Sequence, residues 1–182
     1  MAECAELNDG YRQPNCKPTP GANQRFWLGL FEDAVAWGNG TSSGEKDSLT
    51  MAAGTGLYMF QVERDTVEVK HTKVDEDGGG VNMTHEVSLK IVDRSLEARD
   101  RINDLLGKDL FLLVEENSGV IDIVGYQNGC RLDVADGSSV ATDLGHSLTF
   151  RAKNQNTLPL QFNNGTSLAD TIDDLNALVV GS

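Results

Sequence analysis

At 182 residues, 39% of them hydrophobic and 24% charged, the chain is long enough to bury a core in one domain and too apolar to stay unfolded. No apolar run approaches the roughly 20 residues that a membrane helix needs, so no membrane span is expected. Lys and Arg number 15 against 28 Asp and Glu; the resulting formal net charge of −13 opposes an electrostatic grip on nucleic acid, yet suits a conduit along which phosphate must slide.

The opening residues, Met1-Ala2-Glu3-Cys4-Ala5-Glu6, are acidic and lack the basic and apolar segments of a secretory signal. The chain is therefore expected to be made and kept in a cytoplasm, or to leave inside a particle. Cys4, Cys16 and Cys130 form no CxxC pair and do not indicate zinc; a Cys4–Cys16 bridge is conceivable in an oxidised particle, but reduced thiols are the expectation. Residues 1–25, which hold Pro14, Pro18, Pro20, Gly10 and Gly21, read as an extended arm. Residues 26–165 read as a β-sandwich domain, and residues 166–182 as a helix with a tail.

The body opens with an apolar strand from Phe26 to Phe31, followed by a loop over residues 38–44. Tyr58, Phe60 and Val62 then alternate with Met59, Gln61 and Glu63, which predicts a strand with one apolar face. Two further strands span residues 65–74 and 81–92. In the first, Val67, Val69, His71 and Lys73 share a face; in the second, Val81, Met83, His85, Val87, Leu89 and Ile91 do. At about 3.3 Å per residue the second would run on the order of 35 Å, longer than most strands. Asp75-Glu76-Asp77-Gly78-Gly79-Gly80 between them predicts the acidic tip of a long hairpin. Pairing His71 with His85 sets Val69 against Val87, Val67 against Leu89, Lys70 against Glu86 and Thr72 against Thr84; a slip by one residue would oppose apolar to polar throughout.

The period then changes. Ser95 is a predicted N-cap for a helix carrying Leu96, Ile102, Leu105 and Leu106 on its apolar side and ending near Gly107. Residues 110–114 and 120–124 form a second predicted hairpin, so continuously apolar that both faces should be buried, one against the helix or a second sheet and the other against a neighbouring subunit. Past the Gln127-Asn128-Gly129 turn, Cys130, Leu132 and Val134 alternate in one strand and Leu148 and Phe150 in another, with residues 135–145 as a loop. Ser167 followed by Asp170 resembles a capping box, and Leu168, Ile172, Leu175 and Leu178 have helical spacing.

Little here is suited to catalysis. His71 and His85 would lie side by side and could share a metal, but no carboxylate adjoins them on their own strand face, so a structural role is expected and no metal, cofactor or catalytic residue is assigned. His146 reads as a loop residue in contact with solvent. Gly54-Thr55-Gly56 and Gly78-Gly79-Gly80 lack the Lys-Ser/Thr helix start of a phosphate cradle, and Asp75, Glu76 and Asp77 lack the alternate-residue spacing of a calcium loop.

The order of long acidic hairpin, single helix at Ser95-Leu96-Glu97-Ala98-Arg99, then Leu112-Leu113-Val114-Glu115-Glu116-Asn117-Ser118-Gly119, Gly125-Tyr126-Gln127-Asn128-Gly129 and Leu148-Thr149-Phe150 resembles virion structural proteins of tailed phages, over roughly residues 26–152. Among these it is most similar to tail-tube proteins. The resemblance implies a mainly β, sandwich or barrel fold with a long hairpin, a flanking helix and no enzymatic activity. It also implies hexameric rings that stack into a DNA conduit in the virion tail, assembled in the host cytoplasm with other tail proteins. Carried onto this chain, Val67, Val69, His71, Val81, Met83, His85, Val87, Asp75, Glu76 and Asp77 would contact neighbouring copies, and Glu68, Lys70 and Glu86 would face the lumen. A tail terminator, head–tail connector or capsid decoration protein is the nearest alternative. A sandwich module binding carbohydrate or a host surface is a further one; it would use Tyr11, Trp37 and Tyr126, the aromatics outside the apolar patterns that absorb Trp27, Tyr58 and Phe60.

Overall fold

The computed structural model describes residues 22–62, 66–75, 81–92, 94–139 and 145–180. The fold is mainly β, as the alternating patterns require. One sheet joins β1 (Ala22–Leu30), β3 (Glu45–Lys46), β5 (Tyr58–Gln61), β8 (Leu110–Glu116), β9 (Ile121–Val124) and β12 (Leu160–Phe162) in the order β3-β12-β9-β8-β1-β5. A second joins β6 (Glu68–Asp75), β7 (Val81–Ile91), β10 (Arg131–Ser138) and β11 (Gly145–Gln155) in the order β10-β11-β7-β6, antiparallel throughout. A ribbon of β2 (Ala34–Trp37) and β4 (Leu49–Met51), with helices α1 (Leu96–Leu105) and α2 (Leu168–Ala177), completes the packing. Neither helix is long and apolar enough to cross a membrane.

Two apolar clusters lie on opposite sides of the six-stranded sheet. Leu110, Leu112 and Val114 of β8 meet Val87, Leu89, Leu148 and Phe150 of the four-stranded sheet and Ile102 and Leu105 of α1. Phe111 and Leu113, on the alternate face, meet Trp27, Leu49, Phe162 and Leu175 of α2. All five of these β8 side chains are wholly buried. At about 1.5–3 kcal/mol for each large apolar side chain, this strand makes a large contribution to cohesion. The expected two-sided burial is present, but the second face is covered by the chain's own α2 and β2–β4 ribbon, where a neighbouring subunit was expected. α2 is locked down by its cap, in which Ser167 Oγ accepts from Asp170 N–H at 3.2 Å, and by Trp27 Nε1, which donates to Asn176 Oδ1 at 3.2 Å.

The long hairpin adopts the register that the alternation selects: His71 opposite His85, Val69 opposite Val87, Lys70 opposite Glu86 and Thr72 opposite Thr84. Its tip over residues 76–80 lies outside the described residues. β1 begins at Ala22, inside the stretch read as an arm, because Ala22 already pairs with Glu116 and Arg25 with Gln61. β10 continues through Ser138, into the stretch read as a loop. Ser95 caps α1, its Oγ accepting from Ala98 N–H at 3.1 Å, but Leu96 is 74% exposed. At about 100° per residue Leu96 and Leu105 point to opposite sides, so only Ala98, Ile102 and Leu105 can share the inward stripe. Leu106 has already left the helix, and Tyr58 is 49% exposed because β5 is an edge strand.

Gly29 sits directly opposite Phe111 in the β1–β8 ladder, and the Phe111 ring lies over the position a Cβ would take there, with Leu57 Cδ2 3.1 Å from it. Gly29→Ala is therefore expected to lower the unfolding free energy by on the order of 2 kcal/mol in urea titration, through overpacking. Phe111→Leu in the same chain should relieve much of that increment; an unchanged midpoint for Gly29→Ala would contradict this packing.

Candidate functional site

The hairpin residues separate by face. Val67 and Val87 are buried in the core beneath the four-stranded sheet, Val69 packs against that core, and His85 is 2% exposed. The apolar face expected to meet another copy is thus committed within the chain. Met83 and His71 are half-buried, Asp75 pairs with Val81 at the end of the ladder, and Glu76 and Asp77 lie outside the described residues. Tyr11, Cys4 and Cys16 also lie outside them. Cys130 is a buried free thiol whose ionisation burial strongly disfavours.

The opposite face of the same sheet is polar. Lys70 stands across from Glu86, and Arg151 bridges the sheet: its Nε and Nη2 donate to Glu86 Oε2 at 3.0 and 2.8 Å, and its Nη1 donates to Asp133 Oδ2. Ser88 and Thr149 hydroxyls meet at 3.2 Å beside this row. Charges of alternating sign therefore run Asp133, Arg151, Glu86, Lys70 across β10, β11, β7 and β6. The pairing holds Arg151 firmly in its charged form, chiefly through its hydrogen bond to Glu86. Glu68 is exposed on β6. The face carries matched charges, so the chain's net negative charge is concentrated elsewhere.

His71 and His85 stand with ring centroids 5.2 Å apart and planes at 80°. His85 Nε2 donates to the Thr157 carbonyl at 2.9 Å, which assigns its proton to that nitrogen, while the Nδ1 atoms of both rings are buried without partners. Burial pushes the His85 pKa down to about 4 and that of His71 in the same direction. A carboxylate does act on His71, from the opposite sheet and not from the strand face: Glu116 opposes the shift there. Glu116 also hydrogen-bonds Asp122, whose pKa rises to about 6 mainly through burial. Asp122 was detectable in sequence as the lone acid inside Ile121-Asp122-Ile123. Among the described residues, no group of three or more His, Cys, Asp or Glu is arranged to hold a metal ion.

A third polar feature lies where β2 meets the turns after β9 and β11. Trp37 and Tyr126, remote in sequence, are 5.7 Å apart between ring centroids at an interplanar angle of 72°, beside an open depression of about 420 Å³ also lined by Gln127, Asn128 and Asn156. Comparison with protein-family models, curated proteins and solved structures finds no match for this chain.

The inter-sheet titrating groups act on stability with opposite signs. His85 ionises less readily in the folded chain than at its ordinary 6.5, so its contribution is complete above that pH and is lost on acidification toward about 4. Asp122 holds its proton more tightly than at its ordinary 3.8, so its contribution is complete below that pH and is lost as pH rises through about 6. The two offset each other over the shared window. Asp122→Asn should expose the histidine slope, with stability falling by on the order of 2–3 kcal/mol between neutral pH and pH about 4, and His85→Gln should expose the reverse slope. Chemical denaturation across this range checks both, and parallel pH profiles for the two variants would contradict the assignment.

Proposed function

We propose that this chain is a structural subunit that builds rings through the edges of its four-stranded sheet, in the manner of a phage tail-tube protein, with the polar face of that sheet turned to a central conduit for DNA. The observation that carries this reading is the sheet β10-β11-β7-β6 itself. One face is apolar and already seated on the core, the other is polar, and among the described residues no strand pairs with the outer edge of β6 or of β10. Unpaired edges invite strand addition.

Strand number supports the same reading. Four alternating strands leave β6 and β10 running in opposite directions, so β6 of one copy can add to β10 of the next with antiparallel pairing preserved, and rotation about one axis closes the series into a barrel without edges. The Asp133, Arg151, Glu86, Lys70 row would then line the lumen as paired charge, which offers passing phosphates little to hold. Glu68, Lys70 and Glu86 keep the lumen role. The contact between copies moves from the apolar hairpin face to the strand edges. Rings stacked with other tail proteins, in a virion, make up the biological setting of this proposal; a single unstacked ring would fit a terminator or connector instead.

Successive residues of an edge strand alternate in directing their N–H groups inward and outward, so of Ala135 and Asp136 on β10 one points toward β11 and the other away. Proline tolerated at the outward position removes a donor that only a neighbouring copy would use. Of the variants Ala135→Pro and Asp136→Pro, the one that retains the native circular dichroism spectrum is expected to yield monomers by sedimentation, where the unaltered chain yields rings or tubes by electron microscopy. A folded proline variant that still forms rings, or an unaltered chain that stays monomeric at high concentration, would overturn the proposal.

A further inference from the structure

From the depression beside Trp37 and Tyr126 we infer a binding site for a neutral saccharide, a pyranoside ring seated against the aromatic pair and hydrogen-bonded by the surrounding amides. This does not depend on the ring-forming role proposed above, because its residues come from β2 and from loops outside the four-stranded sheet.

Three features converge on it. The first is the aromatic wall. Trp37 is fixed edge-on by Phe111 at 5.2 Å and Phe162 at 6.4 Å, and Tyr126 stands nearly perpendicular to it, so two half-buried rings of different orientation line one concavity of about 420 Å³. Aromatic faces held rigidly at a surface offer contact area at little conformational cost, and the C–H-rich face of a pyranose is a suitable complement to them.

The second is the amide rim. Gln127 Oε1 accepts from Asn156 N–H at 2.7 Å, Gln155 Oε1 accepts from Gln127 N–H at 3.3 Å, and Asn128 Nδ2 donates to the Asn154 carbonyl at 2.6 Å. These bonds clasp the two loops together and orient the side chains. They leave the Gln127 Nε2 donor, the Asn128 Oδ1 acceptor and the Asn156 side-chain amide for a ligand. A rim that both donates and accepts matches hydroxyl groups, which do the same. The lining contains no Asp, Glu, Lys or Arg, so it has nothing to neutralise a phosphate, carboxylate or ammonium group. Lys46 Nζ lies over the Tyr126 ring, 5.0 Å from its centroid, and is engaged by Asn39, donating to Oδ1 at 2.7 Å.

The third is backbone strain at the clasp. Among the described residues Asn154 is the one non-glycine residue with positive φ, at 58°, and it lies within the register break that ends β11, between Ala152 and Gln155. The left-handed conformation costs free energy for any residue with a Cβ, and here it aims the Asn154 carbonyl at Asn128. Gln155, 2% exposed, anchors the same loop from below. Strain retained where it shapes a concave amide rim is consistent with a preorganised site.

The test is saturation-transfer NMR on the full chain, which works whether or not it is assembled, using methyl β-glucopyranoside, methyl β-galactopyranoside and methyl N-acetyl-β-glucosaminide as probes, with phenol as an apolar control. At least one glycoside should show saturable transfer in the millimolar range. Asn156→Ala, which removes an exposed amide outside the clasp, and Gln127→Glu, which keeps the acceptor for Asn156 N–H and removes the donor, should each weaken it by about 5–10-fold at unchanged stability. Trp37→Phe should weaken it as well. No transfer to any of the three glycosides, saturable binding by phenol alone, or glycoside binding unaltered in both amide variants would overturn the inference.

Discussion

Strand β8 divides Leu110, Leu112 and Val114 from Phe111 and Leu113 across the six-stranded sheet, and neither set reaches solvent. A strand buried on both sides demands a covering layer on each, and the chain supplies both: the four-stranded sheet with α1 on one side, and α2 with the β2–β4 ribbon on the other. Much of the remaining architecture follows from this demand. Gly29 makes room for Phe111, Trp27 donates to α2, and Leu57 joins the end of the chain, its N–H donating to the Leu178 carbonyl at 2.8 Å.

A core closed in this way changes what is left for association. The apolar faces of the two sheets are covered within the chain, and the outward features include the edges of β6 and β10, with which no other strand pairs among the described residues, and a polar face whose charges are matched in a row through Arg151. Association by strand addition is specific in register and orientation, whereas association by apolar faces is not. Under the ring-forming role proposed above, a subunit that stays folded before assembly benefits from this division between a self-sufficient core and strand edges. The aromatic and amide depression stands apart from both and gives the molecule a second surface with its own chemistry.

The hairpin register, the two serine caps and the double-sided burial of β8 were all legible in the sequence, because each depends on local periodicity or on a side chain reaching its own backbone. What covers the second face of β8 was not legible. It is built from α2 and from a ribbon of strands of three and four residues, too short to show alternation, and brought together only by the tertiary fold. The same limit concealed the sites. Glu116 reaches His71 from the opposite sheet and also hydrogen-bonds Asp122, and Trp37 and Tyr126, both recognisable as unused aromatics, become neighbours only when the ribbon lies against the turn after β9. Leu96 shows the converse error, an apolar residue assigned inward although its angular position on α1 points it away.

Hydrogen exchange measured on dilute and concentrated chain, strand by strand, separates a self-sufficient core with assembling edges from a core completed by neighbours. The account predicts that amides of β8 and β9 are strongly protected in the dilute monomer and do not change on concentration, while outward amides of β6 and β10 gain protection as copies associate. Rapid exchange of β8 and β9 in the dilute monomer, with protection appearing there only on association, would contradict it.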